Sequence, residues 1–265
     1  MGESIFLRLD TLKEHDRICH LYSTNVEKLE IGTSFIVHGI RNKEKCIYIS
    51  DRIIPKEFMY RLRGSAIDVN KLIRDKDFEE IPIMGKQIES MDDPHSFIRL
   101  LEPIVKMYSD SGRRVRVLRA KTNLPFSHTS LLWREALLDK FCLEYPLILM
   151  SQYEMGRISS QDAVSLFRTH PMVVYDNTVY DSSFHTPPDE ILSKVEVEYN
   201  TYVSLTSKEK AILRYIVNGY SNRSIAKELS ISVKTVETHR ANIMKKLNIS
   251  KLVDLVKFAI RNNIT

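Results

Sequence analysis

The stretch from Ser232 to Leu247 combines short polar and cationic side chains with a regular apolar spacing. Projected as a helix, at about 100° per residue, Val236, Ile243 and Leu247 fall on one face, which must pack inward. The opposite face carries side chains of mixed size and charge: Lys234, Glu237, Thr238, Ala241 and Lys245. A packed stripe opposite such a face suits a helix that inserts into the major groove of DNA.

Several of these side chains have a chemistry that fits a nucleic acid. The Glu237 carboxylate can accept a hydrogen bond from the amino group of cytosine, and Thr238 or Ala241 can contact the methyl group of thymine. Cationic side chains can reach phosphates, which give affinity rather than sequence choice. The DNA-contacting residues that we predict are Asn222, Lys234, Thr235, Glu237, Thr238, Arg240, Ala241, Lys245 and Lys246. We expect no catalytic residue, metal ligand or cofactor among them.

Capping residues mark the helices that must position this face. Thr206 and Glu209 have the spacing of a capping box at the start of one helix. Ser221 and Ser232 are placed to cap the next two helices, and the three residues that end at Ser232 form the turn between them. This order predicts a helix-turn-helix, and apolar spacing after Ser250 predicts a fourth helix.

The charge of the chain is divided unevenly. From Asn200 to Thr265 there are twelve Lys and Arg against four Asp and Glu, whereas the preceding residues carry 27 against 30. A basic terminal module on a mildly acidic body is the footprint of a nucleic-acid-binding appendage.

The C-terminal residues resemble the LuxR/NarL-type helix-turn-helix over roughly Val203–Ile260. The matching positions are Leu205-Thr206, Glu209, Leu213, Gly219, Asn222, Ile225-Ala226, Leu229, Ser232, Thr235-Val236, His239, Ile243 and Lys246-Leu247. The resemblance implies that the module binds double-stranded DNA as a homodimer, with the fourth helix supplying much of the contact between the two copies. A helical bundle that docks a protein is the alternative.

Residues 1–192 alternate strand and helix patterns. Strands are predicted at Ile18–Tyr22, Cys46–Ser50, Phe78–Ile83, Val115–Ala120, Leu147–Gln152 and Met172–Tyr175, with helices between them. This alternation predicts an α/β fold, in which a mostly parallel sheet has helices on both faces. The polar, proline-containing stretch Asp176–Glu190 is predicted to be a linker, which Glu196–Thr201 continues.

Two nucleotide- or phosphate-dependent readings of this domain can be tested on its residues. A phosphorylated receiver needs an acidic pair after its first strand, where the sequence has Ser23-Thr24-Asn25, so we reject that reading. A phosphate-binding loop at the same place needs glycines followed by Lys and Ser or Thr, and residues 22–28 contain no glycine. Nucleotide hydrolysis is therefore not expected, and Ser23–Asn25 are better explained as helix caps.

The N-terminal residues are similar to a MEDS domain, the DcmR-type sensory domain of methanogens and methylotrophs, over about Asp16–Leu192. The residues that carry the resemblance are Arg17–Tyr22, Phe35, His38–Ile40, Glu44–Ile49, Ser151–Glu154 and Thr169–Val174. It implies a core related to the RecA/KaiC ATPases that has lost its nucleotide machinery, and a role in sensing a small molecule. We expect three segments: a sensory domain 1–192, a linker 193–202 and a DNA-binding domain 203–265.

An effector is expected at the carboxyl ends of the parallel strands. The residues that we predict to line its site are His20, Tyr22, Ser23, Thr24, Asp51, Arg119 and Tyr153. Cys19, His20 and Cys46 could suggest a metal or redox site, but strand alternation places Cys19 and His20 on opposite faces, so a structural use is favoured.

These observations favour a one-component transcription regulator that is not an enzyme. An ATP-driven switch of the KaiC type and an N-terminal platform for a protein partner are the alternatives. Three isolated cysteines suit a reducing cytoplasm, and no apolar run reaches the roughly 18 residues that span a membrane.

Overall fold

The computed structural model describes residues 2–50, 54–82, 94–120 and 128–261. They form two compact units, and Asp189 is the last residue of the first unit. The second unit runs from Glu190 onward and also includes residues 128–133, the start of one long helix. Each unit has its own apolar core.

The first unit holds eight strands. They are β1 (Glu3–Ser4), β2 (Arg17–Tyr22), β3 (Lys45–Ser50), β4 (Phe78–Pro82), β5 (Val115–Ala120), β6 (Leu147–Glu154), β7 (Met172–Tyr175) and β8 (Thr178–Asp181). The helices before the second unit are α1 (Ile5–Arg8), α2 (Asn25–Arg41), α3 (Lys56–Gly64), α4 (Val69–Arg74), α5 (Pro94–Asp110), α6 (His128–Glu144) and α7 (Ser160–Thr169), with short 3-10 helices at Leu9–Thr11 and Met155–Arg157.

The strands form one sheet in the order β1-β8-β7-β2-β6-β5-β3-β4. Strands β7, β2, β6, β5, β3 and β4 are parallel, and at one edge β8 pairs antiparallel with β7 and β1 pairs antiparallel with β8. The predicted mostly parallel α/β sheet is therefore confirmed, because its six predicted strands lie where the sequence pattern placed them.

The sheet is buried on both sides. On the side that we call the α2 face, Tyr48 and Leu118 pack with Phe35 of α2. On the other side, the α6 face, Val117 and Leu149 pack with residues of α5 and α6. Strands β2, β3 and β5 are buried along their whole length, as expected when helices cover both faces of a parallel sheet.

The predicted linker at Asp176–Glu190 was wrong over its first part, because Thr178–Asp181 forms β8. Asp176 and Asn177 adopt positive φ angles of 47° and 58° and make the two-residue turn between β7 and β8. Asp and Asn tolerate this left-handed conformation, and it matches the twist of a hairpin. Residues 193–202, also predicted as a linker, lie within helix α8 (Pro188–Val203).

The second unit contains the predicted helix-turn-helix. Its helices are α9 (Ser207–Val217), α10 (Asn222–Glu228), α11 (Val233–Lys246) and α12 (Leu252–Arg261). Thr206 and Glu209 form the predicted capping box, and the Ser221 and Ser232 side chains cap α10 and α11. Gly219, with φ of 80°, makes the left-handed exit from α9.

Over the described part of the chain, none of the helices combines the length and the apolar character that crossing a bilayer requires.

Candidate nucleic-acid interface and buried charge cluster

Helix α11 has the two-sided character that its sequence predicts. Val236 and Ile243 are fully buried and Leu247 nearly so, within a core that α9, α10 and α12 share. The residues predicted for the opposite face are all exposed: Lys234, Glu237, Thr238, Ala241 and Lys245. The packing fixes which face the helix presents to a partner.

The first turns of α11 are held by short side chains. The Thr235 amide donates to the Ser232 hydroxyl at 3.0 Å, and the hydroxyls of these residues lie 2.8 Å apart. The Thr238 hydroxyl donates to the Lys234 carbonyl at 3.0 Å. The donor of Thr238 is therefore used inside the helix, and its methyl group and oxygen lone pairs remain for a partner.

An exposed ion pair lies on the same face. Lys234 Nζ and Glu237 Oε2 are 3.7 Å apart. Because an exposed pair of this kind contributes only about 0–1 kcal/mol, either side chain can exchange it for a partner at small cost.

Asn222 and Arg240 join α10 to α11. Arg240 Nη1 donates to Asn222 Oδ1 at 2.7 Å. The sequence pattern predicts a separate DNA contact for each residue, whereas the structure brings the two together and fixes the guanidinium against the start of α10.

Lys246 is engaged within the unit. Its ammonium donates to Glu209 Oε2 at 2.7 Å and to the Ser204 carbonyl at 3.1 Å. Burial alone would raise the pKa of Glu209, but the hydrogen bonds from Lys246 and Thr206 outweigh it and the pKa lies below its ordinary value. Lys246 is exposed like Lys245, but its ammonium is held by Glu209.

The predicted effector residues lie on two different faces of the sheet. The β2–β6 register pairs His20 with Gln152, and the β5–β6 register pairs Arg119 with Ser151. Since successive residues of a strand point to opposite sides, His20 and Tyr22 lie on the α2 face, and Arg119 and Tyr153 on the α6 face. The structure therefore does not bring the predicted residues together into one site.

The remaining predicted residues cap a helix or fall outside the described residues. The Thr24 hydroxyl accepts from the Glu27 amide at 3.1 Å, and the Ser23 amide donates to Glu27 Oε2 at 2.9 Å. This is the capping arrangement that the sequence favoured over ligand binding. Asp51 lies outside the described residues.

His20 is held in a neutral form on the α2 face. The Gln152 amide donates to its Nδ1 at 3.0 Å and to the Lys28 carbonyl at 2.8 Å, which leaves the ring proton on Nε2. Burial, with a smaller effect of the Lys28 charge, lowers the pKa of His20 to about 3.

The α6 face contains a buried charge cluster that the sequence analysis missed. Three guanidinium groups surround the fully buried Glu135 carboxylate: Arg17 at 2.5 Å, Arg119 at 2.7 Å and Arg134 at 3.0 Å. Arg119 also donates to the Tyr153 hydroxyl. We call this group the Glu135 cluster; its members are Arg17, Arg119, Arg134, Glu135, Asp139, Tyr153 and His170.

The electrostatics of the cluster separate its charged members from its neutral ones. Burial would raise the pKa of Glu135, but the three arginines outweigh it and hold that pKa well below its ordinary value. Burial, helped by the Arg17 charge, keeps the pKa of His170 well below its ordinary value, and its Nδ1 donates to the Leu166 carbonyl at 2.9 Å. Burial also raises the pKa of the Tyr153 hydroxyl.

A local signal for this cluster exists in the sequence. Arg134-Glu135 stands between apolar residues on both sides within α6, where a charged pair must either be exposed or find buried partners. The partners on β2 and β5 come from distant parts of the chain, so the sequence pattern alone does not name them.

Comparisons with known proteins match two parts of the chain to two families. Residues 16–171 match the family described as MEDS, the methanogen/methylotroph DcmR sensory domain. Residues 203–259 match the bacterial regulatory proteins of the luxR family, GerE. The chain belongs to the MEDS-domain family and carries a LuxR-type helix-turn-helix of the kind found in DNA-binding transcription regulators.

The curated relatives that the chain resembles carry the names of regulatory proteins. The uncharacterized response regulatory protein YgeK of Escherichia coli is 43% identical over 82 residues, which are 31% of this chain and 53% of YgeK. The oxygen regulatory protein NreC of Staphylococcus carnosus is 38% identical over 34% of this chain and 35% of its own length. The transcriptional regulatory protein MctR of Rhizobium johnstonii is 31% identical over 45% of this chain and 73% of its own length. The chain spans about half or less of YgeK and NreC.

The solved structures that resemble the chain do so weakly. The flagellar accessory protein FlaH of Methanocaldococcus jannaschii covers 66% of this chain and 83% of its own, with 9% identity and a TM-score of 0.41. The response regulator StyR covers 82% and 99%, with 17% identity and a TM-score of 0.29. At these TM-scores neither structure bears on the fold.

Proposed function

We propose that this protein is a one-component transcription regulator, in which an N-terminal sensory domain (1–192) binds a small-molecule effector. A DNA-binding domain (203–265) binds double-stranded DNA as a homodimer, and residues 193–202 connect the two. The observation that carries the proposal is the exposed face of α11, whose opposite face is buried. The protein has no catalytic role in this proposal and acts on DNA in the cytoplasm.

In the proposed pose α11 lies in the major groove. Glu237, Thr238 and Ala241 face the base edges, where a carboxylate can accept from cytosine and a methyl group can meet thymine. The predicted phosphate contacts are Lys234, Arg240, Lys245 and Lys246, and Asn222 and Thr235 complete the predicted DNA-contacting set. Lys245 and Lys246 are both exposed, and Lys246 would have to give up its hydrogen bond to Glu209 to bind a phosphate.

A KaiC-like ATP switch has less support. The position of a phosphate-binding loop is taken by Tyr22-Ser23-Thr24-Asn25, and the Thr24 and Glu27 side chains are used on backbone amides at the start of α2. No glycine is present there to let backbone amides wrap a phosphate.

The proposal is tested by capturing sheared genomic DNA with the purified full-length protein. We expect enrichment of a two-fold symmetric site, since a homodimer places two recognition helices on two half-sites. The enriched fragments are then titrated with Glu237→Ala and, as the matched control on α9, Lys208→Ala. Glu237→Ala should change which fragments are bound and Lys208→Ala should not. Equal, sequence-independent binding by all three proteins would refute the proposal.

A further inference from the structure

The Glu135 cluster carries an unbalanced buried charge. Its three arginines face two carboxylates, Glu135 and Asp139, of which Asp139 lies 3.7 Å from Arg17. His170 adds no charge, because burial keeps it neutral. Among the described residues the cluster therefore holds one more positive than negative charge. A buried charge is costly unless a counter-charge accompanies it.

The same arginines have donors without acceptors. Within the described part of the chain, Arg17 Nε, Arg119 Nε and Arg134 Nη1 are buried and make no hydrogen bond. The Ser151 hydroxyl beside Arg119 in the sheet register is in the same state. Since the large majority of buried polar groups have a partner, several orphaned donors around one excess positive charge indicate a missing acceptor.

The position of these donors fits a ligand site. Arg119 and Tyr153 lie near the carboxyl ends of β5 and β6, which is where open parallel sheets bind their ligands. Arg17 and Glu135 have no exposed side-chain surface, whereas 4% of Arg119 and 5% of Arg134 is exposed. Arg119 and Arg134 thus form the outer rim of the cluster.

We propose that the rim formed by Arg119 and Arg134 binds an oxyanion, the carboxylate or phosphate group of the effector. This inference rests on the proposed sensory function and names the chemical class of its ligand. An oxyanion supplies the missing negative charge and accepts from the orphaned N–H groups, and the planar guanidinium matches it with paired hydrogen bonds.

The contacts of α6 give the bound anion a route to the rest of the chain. Asp139 Oδ2 lies 2.9 Å from His185 Nε2, and Lys140 Nζ donates to Asp189 Oδ1 at 2.7 Å. His185 precedes α8, and Asp189 lies in its first turn. An anion that draws Arg134 away from Glu135 changes the electrostatic interactions along α6, and α6 is the helix that contacts His185 and Asp189.

The test measures thermal unfolding and binding heat of the full-length protein in sodium acetate or sodium phosphate, against sodium chloride at equal ionic strength. At ten times the dissociation constant we expect the midpoint to rise by about 3–5 °C. Arg134→Gln should abolish the rise. Arg113→Gln, which removes a partly exposed arginine near the opposite end of β5, should retain it. Should Arg134→Gln fail to fold, Arg134→Lys, which keeps the charge but not the planar donors, should show at least a twofold smaller rise.

The outcomes separate the ligand sources and the two proposals. A response to acetate alone assigns a carboxylate, and a response to phosphate alone assigns a phosphate group. Responses equal to that of chloride, or an equal loss in Arg113→Gln and the Arg134 variants, would overturn the site. If the anion binds as expected but leaves the affinity for the captured DNA unchanged, the site stands and the sensory function fails.

Discussion

The two units of this protein place their charged residues in opposite ways. In the second unit the charges that matter lie on the exposed face of one helix, α11, and its apolar residues are inside. In the first unit Glu135 and three arginines lie inside the α6 face, between strands and helices that are far apart in sequence. Exposed charges can bind a partner without changing the packing of the core, whereas buried charges are part of the core and depend on one another.

This difference predicts unequal sensitivity to substitution. Exposed ion pairs contribute about 0–1 kcal/mol, but removing one member of a buried pair costs about 3–5 kcal/mol because the other charge is left unpaired. The following changes test the contrast, beginning with the largest effect.

Glu135→Gln should be the most damaging of these substitutions. It leaves three buried guanidinium groups without their shared carboxylate, so the free energy of unfolding should fall by about 3–5 kcal/mol. Urea denaturation measures the loss. The control is Asp77→Asn, which removes the carboxylate of a partly exposed pair with Arg113 and should cost less than about 1 kcal/mol. Equal losses in the two variants would contradict the contrast between buried and exposed charges.

His20 should make the stability of the chain fall in acid. Its folded pKa, lowered to about 3, lies below the ordinary value of 6.5, so the unfolded chain binds a proton that the folded chain does not. The contribution of neutral His20 to the free energy of unfolding is fully present above pH 6.5. It is lost as the pH falls toward 3, at up to about 1.4 kcal/mol per pH unit.

Urea denaturation of the wild-type chain and of His20→Asn at several pH values measures this dependence. Between pH 6.5 and 4 the slope of the free energy of unfolding against pH should be smaller in the variant, by an amount that corresponds to the uptake of up to one proton. Above pH 7 the two slopes should coincide, which serves as the control. Parallel curves throughout the acid range would contradict the assignment of a buried neutral His20.

Substitutions on α11 should leave the fold intact and change only DNA binding. Thr238→Ala or Glu237→Ala should change which bases are tolerated, by about 1–3 kcal/mol at the affected position, with little change in salt dependence. Lys245→Ala should weaken binding to all sequences and lower the salt slope by about 1. Binding titrations at several salt concentrations distinguish these effects. An unchanged base preference in both Glu237 and Thr238 variants would refute the placement of the helix.

The sequence predicted more of the fold than of the effector site. The strand and helix patterns of the first unit and the caps at Thr206, Ser221 and Ser232 rest on local spacing, and the structure confirms them. The hairpin at Asp176-Asn177 also has a local signal, but its polar turn residues fit the linker that the sequence predicts equally well. The effector site could not be predicted in the same way, because its composition depends on which strand ends are neighbours and which side chains share a face.

The sequence by itself determined the α/β alternation, the helix-turn-helix and the exposed face of α11, because each follows from periodicities and caps that act within a few residues. Only the tertiary structure decided that Arg17 and Arg119 share Glu135, that Asn222 holds Arg240 and that Lys246 is bound to Glu209. Those pairings depend on strand order, register and helix packing, which bring together residues that local spacing cannot relate.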